Sequence, residues 1–331
     1  MIPTTNLTRF ILQQEARYPE STGELSDLLN TVALGVKMIR QLVATSGLKG
    51  LTGYTGRTNV QGESTHVLDE EADTILIQLL GSSGHFGLLV SEERDTVVKA
   101  ERNQAGAKYV LAFDPLDGSS NLGSNIPVGT IFTILRKRDG QGPASESDFL
   151  QSGRNIVAAG YSIYGARTSF VYSTGSGVHG FTLDPEIGEF LLTDPSITIP
   201  ERGSTYSINE GNTAHFGTEV TEYLRQLKSE DAARQTPYSA RYVGSLVADF
   251  DRNLKKGGVY LYPGDRKSPR GKLRLLYECM PLAWIAEQAG GRASDGRQNV
   301  LDIVPASIHE RIPFVVGSRH EVEWFDRIAR G

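Results

Sequence analysis

Helical and strand-like sequence patterns alternate along most of the chain. Apolar residues recur at helical spacing over residues 25–43 and again over residues 68–80. Short apolar runs at residues 86–90 and 109–113 are typical of buried strands. Elements in this order bury their apolar faces by stacking helices on sheets. We therefore predict a layered α/β (α+β) fold.

Local signals predict where several elements begin and end. Ser21 to Glu24 has the S/T-x-x-E form of a capping box, which predicts the start of the first long helix. Asp184-Pro185 and Asp194-Pro195 are expected to form turns, and the stretch 175–180 fits G-x-G-x-x-G but precedes a strand pattern, which favours a hairpin turn over a dinucleotide site. Further strands are predicted at 130–135, 156–161, 169–173, 180–183 and 258–262, and further helices at 219–228, at 246–254 and after Pro281.

Chain length predicts two substructures that share an interface. A chain of 331 residues exceeds what one hydrophobic core usually serves. Pro195, Pro200 and Gly203 interrupt the pattern near residues 194–203. We predict one domain over residues 1–196 and a second over residues 197–331.

Composition narrows the class of partner and compartment. The chain has 34 Lys and Arg residues against 39 Asp and Glu residues, which gives a net charge of -5. This charge argues against non-specific binding to nucleic acid or to an anionic membrane. Cys279 is the single cysteine, so no disulfide forms within the chain and a reducing compartment is favoured. No run of eighteen apolar residues and no secretory signal pattern is present. We expect a cytoplasmic protein.

Two apolar strand patterns end in acidic residues. The run VLAFDPLDGSSN leads to Asp114 and Asp117, and the run GLLVSEE leads to Glu92 and Glu93. Neighbouring carboxylates repel unless a cation or protons neutralise them, which favours a hard divalent metal ion. Either segment alone is equally compatible with a solvated loop. Two such segments in one chain favour a site.

The residues around Pro115 add the features of a phosphate site. We expect Pro115 to fix the backbone where the strand ends, so that Asp114 and Asp117 face one side with the Leu116 carbonyl between them. Gly118 allows close approach of the backbone, and Ser119 and Ser120 follow with hydroxyl and N–H donors suited to phosphate. Residues 114–120 therefore predict a combined metal and phosphate site.

The same segment resembles a known superfamily. Residues 114–119 match the D-P-[IL]-D-G-[ST] signature of the lithium-sensitive, magnesium-dependent sugar and inositol phosphatases. The rest of the chain, from about residue 7 to residue 317, is similar to class I fructose-1,6-bisphosphatases. This resemblance implies the αβαβα layers of the sugar-phosphatase fold, with the metal and allosteric AMP sites in the N-terminal domain (1–196) and sugar-bisphosphate binding in the C-terminal domain (197–331). The segments that carry this resemblance are TGEL (22–25), AAGY (158–161) with Gly165, YSINEG (206–211), RYVGS (241–245), KSP (267–269) and GKLRLLYE (271–278).

The resemblance implies a set of metal ligands and catalytic residues. The implied ion is Mg²⁺, and Mn²⁺ or Zn²⁺ could take its place. Asp69 and Glu93 match the pair that orients and deprotonates the attacking water, and Glu63 lies in the segment 59–63 that matches a mobile loop of the family. The implied ligands are Glu92, Glu93, Asp114, the Leu116 carbonyl, Asp117 and Glu278.

The resemblance also implies how a sugar bisphosphate is held. The 1-phosphate end would meet Asp117, Gly118, Ser119 and Ser120. Asn212 stands where many relatives have Tyr, which puts one contact with the 6-phosphate in doubt. The family positions for the other end of the substrate are Asn209, Arg241, Tyr242, Tyr260, Tyr262 and Lys272, with Arg241 reaching across a subunit interface.

An inhibitory AMP site is implied at the start of the first long helix. Free N–H groups at a helix start can cradle a phosphate. From the residues alone, however, this segment would be an ordinary helix start. The matching positions are Thr22, Gly23, Glu24, Leu25, Ser26, Lys108, Tyr109 and Arg136. The family is also homotetrameric, which the resemblance extends to this chain.

The implied activity is hydrolysis of fructose 1,6-bisphosphate to fructose 6-phosphate and inorganic phosphate, in gluconeogenesis and carbohydrate biosynthesis. Sedoheptulose 1,7-bisphosphate is an alternative or additional substrate, because the two sugars differ mainly in chain length. An inositol phosphatase would not be expected to share YSINEG and KLRLLYE. A non-catalytic AMP-binding scaffold is the alternative of a different class, and the costly set of like charges argues against it.

Overall fold

A computed structural model describes residues 4–51, 53–58, 64–101, 106–138, 142–233 and 235–331. Its helices are α1 (Leu7–Glu15), α2 (Glu24–Lys49), α3 (Val67–Ser82), α4 (Thr218–Lys228), α5 (Leu246–Lys256), α6 (Met280–Gln288) and α7 (Arg319–Ala329). Its strands are β1 (Tyr54–Thr58), β2 (Ser64–His66), β3 (Phe86–Ser91), β4 (Val98–Lys99), β5 (Tyr109–Asp117), β6 (Val128–Arg136), β7 (Ile156–Tyr164), β8 (Thr168–Ser173), β9 (Val178–Asp184), β10 (Glu189–Ile197), β11 (Thr205–Ser207), β12 (Ser239–Ala240), β13 (Val259–Tyr262), β14 (Leu273–Arg274), β15 (Arg292–Ser294), β16 (Arg311–Ile312) and β17 (Phe314–Gly317).

A large twisted sheet forms the centre of the first half of the chain. Its described strands lie in the order β10-β9-β8-β7-β6-β5-β3-β4. Neighbours are antiparallel except β3 and β5, which run parallel. Strands β3, β5, β7 and β8 are buried along almost their whole length, because both faces of the sheet are covered.

A second, smaller sheet lies in the second half of the chain, in the order β12-β11-β13-β17-β15. Helices α2 and α3 pack on one face of the large sheet, and α5 and α6 lie between the two sheets. Helices α4 and α7 pack together, and α7 covers the outer face of the smaller sheet. This order of layers confirms the predicted αβαβα fold.

Three hydrophobic clusters hold the layers together. One joins the first helices to the large sheet, a second fills the space between the sheets, and a third lies under α4 and α7. The middle cluster combines residues of β5 to β7 with residues of α5 and α6, so the two halves share buried apolar surface. Strand β10 ends at Ile197, and the division at residues 196 and 197 stays a prediction.

Most elements expected from periodicity are present. The two early helices, the helices at 218–228 and 246–256, and the strands of the large sheet lie within a few residues of the predicted ranges. The G-x-G-x-x-G segment forms the hairpin between β8 and β9, as predicted. Pro281 lies in the first turn of α6, where a missing N–H costs no helical hydrogen bond.

Three local expectations were wrong. Ser21 does not cap α2, because Gly23 is its N-cap and the Ser21 hydroxyl donates to Glu15 Oε1 at 3.0 Å. Asp194 and Pro195 form no turn but lie inside β10. Because β10 is an edge strand with register shifts at this point, proline removes no hydrogen bond of the sheet interior. Strand β5 does not end at Asp114 but continues through Pro115 to Asp117.

Within the described part of the chain, no helix is both long enough and apolar enough to cross a membrane.

Candidate active site

Two neighbouring parallel strands bring the predicted acidic segments together. Strand β3 leads into Glu92 and Glu93, and β5 carries Asp114 and Asp117 at its carboxyl end. The Glu92 N–H donates to the Phe113 carbonyl at 3.2 Å, so pairing continues past the end of β3. Since parallel strands end at the same edge of a sheet, both acidic segments lie at one edge.

An irregular stretch of β5 sets the two aspartates. The register against β6 shifts between Asp114 and Asp117. Within this shift, the Leu116 N–H donates to Asp114 Oδ1 at 2.9 Å, and the Thr130 hydroxyl donates to the Pro115 carbonyl at 2.8 Å. Pro115, which has no N–H, is tolerated at such a shift. Asp114 and Asp117 are therefore fixed by the sheet and not by a loop.

The second half of the chain contributes one more acidic residue. Glu278 lies on the single-turn π-helix Leu275–Cys279, which packs against β5 and β6. Oxygen atoms of Asp114, Asp117 and Glu278 lie within 4.8 Å of one another, and all three residues are buried. Asp117 Oδ2 also accepts the Val247 N–H at the start of α5, at 3.0 Å. The site is thus built from both halves of the chain.

Arg274 is a site residue that sequence reasoning missed. Its Nη2 lies 2.9 Å from Glu92 Oε1, and its Nη1 lies 3.8 Å from Glu278 Oε2. Its backbone N–H donates to the same Glu278 oxygen at 2.6 Å. The sequence signal that could have identified it is the largely apolar stretch KLRLLYE, in which Arg274 precedes Glu278 by four residues. Arg274 offsets part of the negative charge of the cluster.

Crowding and burial keep protons on these carboxyl groups. Burial, followed by the charge of Glu92, raises the pKa of Asp114 well above its usual range. Burial likewise raises the pKa of Glu278 well above its usual range and that of Asp117 to about 7. A set of hard oxygen donors that cannot all ionise without a counter-charge fits a divalent cation such as Mg²⁺.

Asp69 and Glu93 lie beside the cluster. Asp69 is in the first turn of α3, and its Oδ2 accepts the His66 N–H at 3.0 Å and the Ser119 hydroxyl at 3.1 Å. Burial raises the pKa of Asp69 to about 7, and burial and the charges of Glu92 and Asp69 raise the pKa of Glu93 to about 8. Both groups are therefore able to exchange a proton near neutral pH.

The turn after β5 adjoins Asp69 and the start of α5. Gly118 has a left-handed backbone with a φ of +77°, and a Cβ there would lie 3.1 Å from Ser245 Oγ. Ser119 begins the 3₁₀ helix Ser119–Ser124 and contacts Asp69 as described above, while Ser120 is exposed. The turn thus needs glycine both for its backbone angle and for its close neighbour.

The predicted residues for the far end of the substrate form a second group. Asn209, Tyr262 and Lys272 line one cavity together with Asn212. Tyr260 is buried, whereas Tyr242 is 38% exposed. Burial, followed by the neighbouring Tyr262, Asp249 and Asp117, raises the pKa of Tyr242 to about 12. Both tyrosines are near enough to Tyr262 of this cavity and to Asp117 of the acidic cluster for the charges of these groups to raise their pKa beyond the effect of burial.

Arg241 is not among the residues that line this cavity. Its Nη1 donates to the Ala240 carbonyl at 2.8 Å, and the residue is exposed. The buried Asp249 holds the loop that follows, because it accepts the N–H groups of Val243 and Gly244 at 3.0–3.2 Å. Asp249 is a second residue that sequence reasoning missed. The predicted reach of Arg241 into another subunit stays a prediction.

Of the residues predicted to bind AMP, Lys108 contacts the start of α2, and Tyr109 contacts Arg136 on the neighbouring strand. Lys108 Nζ lies 2.9 Å from Glu24 Oε1 and 3.4 Å from Thr22 Oγ1. Tyr109 pairs with Arg136 across β5 and β6, and the Arg136 guanidinium lies 5.6 Å from the Tyr109 ring centre. Gly23, Glu24, Leu25 and Ser26 form the N-cap and first turn of the helix.

A carboxylate of the chain itself lies over this helix start. Glu15, the last residue of α1, accepts hydrogen bonds from the hydroxyls of Ser21 and Ser26. Its Oε1 would lie 3.6 Å from a Cβ on Gly23. A negative group is favourable at the positive end of a helix. Glu15 therefore occupies part of the space expected to receive a phosphate.

Glu63 and the loop 59–63 lie outside the described residues. Cys279 is buried, and burial raises the pKa of its thiol well above its usual range, as expected of a packing residue.

Known proteins match this chain over nearly its whole length. The family model for the fructose-1,6-bisphosphatase N-terminal domain matches residues 5–195, and that for the C-terminal domain matches residues 199–330. A class 1 fructose-1,6-bisphosphatase of Chlorobium luteolum is 51% identical over 98% of this chain and 98% of its own. One of Sorangium cellulosum is 50% identical over 98% of this chain and 93% of its own.

A solved structure shows the same architecture. The fructose-1,6-bisphosphatase of Leishmania major in its holo form superposes with a TM-score of 0.92 and 38% identity, covering 100% of this chain and 99% of that one. The fold and these matches make the chain a phosphoric monoester hydrolase. It belongs to the fructose-1,6-bisphosphatase family.

Proposed function

We propose that this chain hydrolyses the 1-phosphate of fructose 1,6-bisphosphate, releasing fructose 6-phosphate and inorganic phosphate. The observation that carries the proposal is the buried group of Asp114, Asp117 and Glu278, which lies beside the turn at Gly118. Metal ligands and phosphate donors adjoin one another there. Membership of the family supplies the class of substrate.

The chain's own groups divide the work. Asp114, Asp117 and Glu278, with Glu92, Glu93 and the Leu116 carbonyl, would hold Mg²⁺. When bound, the cation neutralises phosphoryl oxygens and makes water a better nucleophile. Asp69 and Glu93 are the pair assigned to orient the attacking water and accept its proton, because both lie beside the proposed metal ligands. The donors of residues 118–120 orient the phosphate for in-line attack.

The second phosphate of the substrate is assigned to the cavity lined by Asn209, Tyr262 and Lys272. Lys272 offers positive charge, and Asn209 and Tyr262 offer polar hydrogen-bonding groups. Tyr242, Tyr260 and Arg241 complete the proposed binding set, with Arg241 acting from a partner subunit of a homotetramer. This division of roles rests on the residue types and on the family resemblance.

Inhibition by AMP at the start of α2 is a separate proposal. Lys108, Tyr109 and Arg136 supply positive charge and an aromatic face near Thr22 and the first turn of the helix. Glu15 must leave its place for a phosphate to bind there, so we expect weak inhibition. Titration of AMP against the activity at saturating Mg²⁺ tests this, and no inhibition at millimolar AMP contradicts it.

The decisive experiment compares three substrates. Release of inorganic phosphate is measured with Mg²⁺ from fructose 1,6-bisphosphate, sedoheptulose 1,7-bisphosphate and inositol 1-phosphate, with an EDTA control. We expect hydrolysis of fructose 1,6-bisphosphate and none of inositol 1-phosphate. A preference for the seven-carbon sugar would assign the alternative substrate. No hydrolysis of any of them would favour the non-catalytic scaffold. A cytoplasmic location is part of the same proposal.

A further inference from the structure

An ion pair between the buried Asp73 and the partly exposed Arg94 joins α3 to the turn that carries Glu92 and Glu93. Asp73 lies one helical turn after Asp69 on α3, and only 1% of its surface is exposed. The Nε and Nη2 atoms of Arg94 both lie 2.6 Å from Asp73 Oδ2. Two charge-assisted contacts of this length hold the guanidinium plane in one orientation.

The same carboxylate also reaches the end of β3. Asp73 also lies close to the side chain of Ser91, the last residue of that strand, which acts to lower the pKa of the Asp73 carboxyl. The Ser91 hydroxyl in turn accepts the N–H of Glu93 at 3.2 Å. Asp73 therefore contacts the residues on both sides of Glu92 and Glu93 without belonging to the proposed ligand set.

We propose that Asp73 is a positioning residue, which with Arg94 and Ser91 fixes the Glu92–Glu93 turn against α3 and so sets its distance from Asp69. Asp69 and Asp73 are four residues apart on one helix, so they face the same side of it. One rigid helix thereby carries a proposed proton acceptor and the anchor of the turn opposite to it. This inference rests on the proposed function.

Burying the Asp73 carboxylate costs solvation free energy, and its role in orienting the turn accounts for this cost. Arg94 is 48% exposed, whereas Asp73 is fully buried. A buried charge paired with a half-exposed one returns little net stability over an apolar pair. Groups that orient metal ligands typically affect metal affinity or activity by about 10- to 100-fold when they are removed. We assign Asp73 this role of orienting metal ligands.

The test uses Asp73→Asn and Arg94→Gln with Asp326→Asn as a matched control. Asp326 is also a buried aspartate paired with a partly exposed arginine, Arg292, but it lies on α7, which covers the smaller sheet, and its hydrogen-bond partner Ser294 belongs to that sheet. Two quantities are measured: Mn²⁺ affinity of the metal-stripped protein by electron paramagnetic resonance, without substrate, and kcat and KM for fructose 1,6-bisphosphate with Mg²⁺.

For Asp73→Asn we expect Mn²⁺ affinity and kcat to fall by about 10- to 100-fold, with a smaller change in KM. Arg94→Gln should act in the same direction, and the double variant should add little to Asp73→Asn, because both remove one interaction. Asp326→Asn should lower the Tm while leaving Mn²⁺ affinity and kcat unchanged.

Unchanged Mn²⁺ affinity and kcat in Asp73→Asn would overturn the proposal, whatever its Tm. If that variant does not fold, Arg94→Gln decides in its place, because Arg94 is partly exposed. If the wild-type protein is inactive but its Mn²⁺ affinity still depends on Asp73, the proposed function is contradicted and the positioning role of Asp73 is supported.

Discussion

At the scale of single residues, the site depends on carboxyl groups whose surroundings set their chemistry. Asp69 and Glu93 have pKa values raised mainly by burial, to about 7 and about 8. A general base works best when its pKa is near the operating pH. The same two residues in solvent would be fully ionised and weakly basic at neutral pH.

Asp69→Asn removes the proton acceptor while keeping an oxygen for the His66 N–H and the Ser119 hydroxyl. We expect kcat to fall by about 10²- to 10⁴-fold with little change in KM, as for the loss of a general base. Glu71→Gln is the control, because Glu71 is an exposed residue of the same helix. Steady-state kinetics at pH 7.5, a buffer condition of roughly physiological pH, provide the measurement. A kcat equal to that of the control would remove Asp69 from proton transfer.

At the scale of elements, the turn from β5 into residues 119–124 connects the aspartates with the proposed phosphate donors. Its backbone at Gly118 is left-handed, and Ser245 of the other half packs closely on it. A similar left-handed glycine, Gly188, lies between β9 and β10 with open space around its Cβ position. Comparing the same substitution at the two glycines therefore distinguishes the effect of backbone strain from the effect of a close neighbouring side chain.

Gly118→Ala and Gly188→Ala should each lose about 1–2 kcal/mol of unfolding free energy through left-handed strain. Only Gly118→Ala should also lower kcat/KM, because its new methyl group must displace Ser245 or the turn itself. Urea unfolding and steady-state kinetics of both variants provide the comparison. An equal kcat/KM in the two variants would show that the shape of this turn is not critical for activity.

At the scale of the whole molecule, folding itself assembles the acidic cluster from both halves of the chain. Asp69, Asp117 and Glu93 have folded pKa values of about 7 to 8, against 3.8 to 4.5 for the unfolded chain. Between these values the folded protein holds protons that the unfolded chain has released. Without a cation, the contribution of these groups to stability is therefore fully present below about pH 4 and lost as the pH rises through 7 to 8.

We expect the free energy of unfolding in EDTA to decrease from pH 5.5 to pH 8.5, a window that spans the raised values. Saturating Mg²⁺ should reduce or reverse this decrease, because cation binding to the ionised carboxylates stabilises the folded state. Urea titrations at several pH values, with EDTA and with Mg²⁺, supply the data. A stability in EDTA that rises over this window would contradict the raised pKa values.

Periodicity alone predicted the helices, the strands of the large sheet and the layered class, because burial of a helix face or a strand face is written into a short window of residues. The motif around Pro115 and the family resemblance predicted Asp114, Asp117, Glu92, Glu93 and Glu278 as one group. Local sequence signals gave a wrong prediction where a contact with a residue distant in sequence determined the structure. The Ser21 hydroxyl donates to Glu15 and does not cap the helix, and Pro195 lies within the edge strand β10 and not in a turn.

What the sequence by itself determined is therefore which side chains stand at the ends of which elements. Only the tertiary structure decided that Arg274 offsets the charge of Glu92, that Asp73 holds Arg94, and that Glu15 lies over the start of α2. The physical reason is that strand order and the stacking of layers bring these groups together, and neither is encoded in the local spacing of residues. The chemistry of each group then follows from its burial and its neighbours, which exist only in the folded chain.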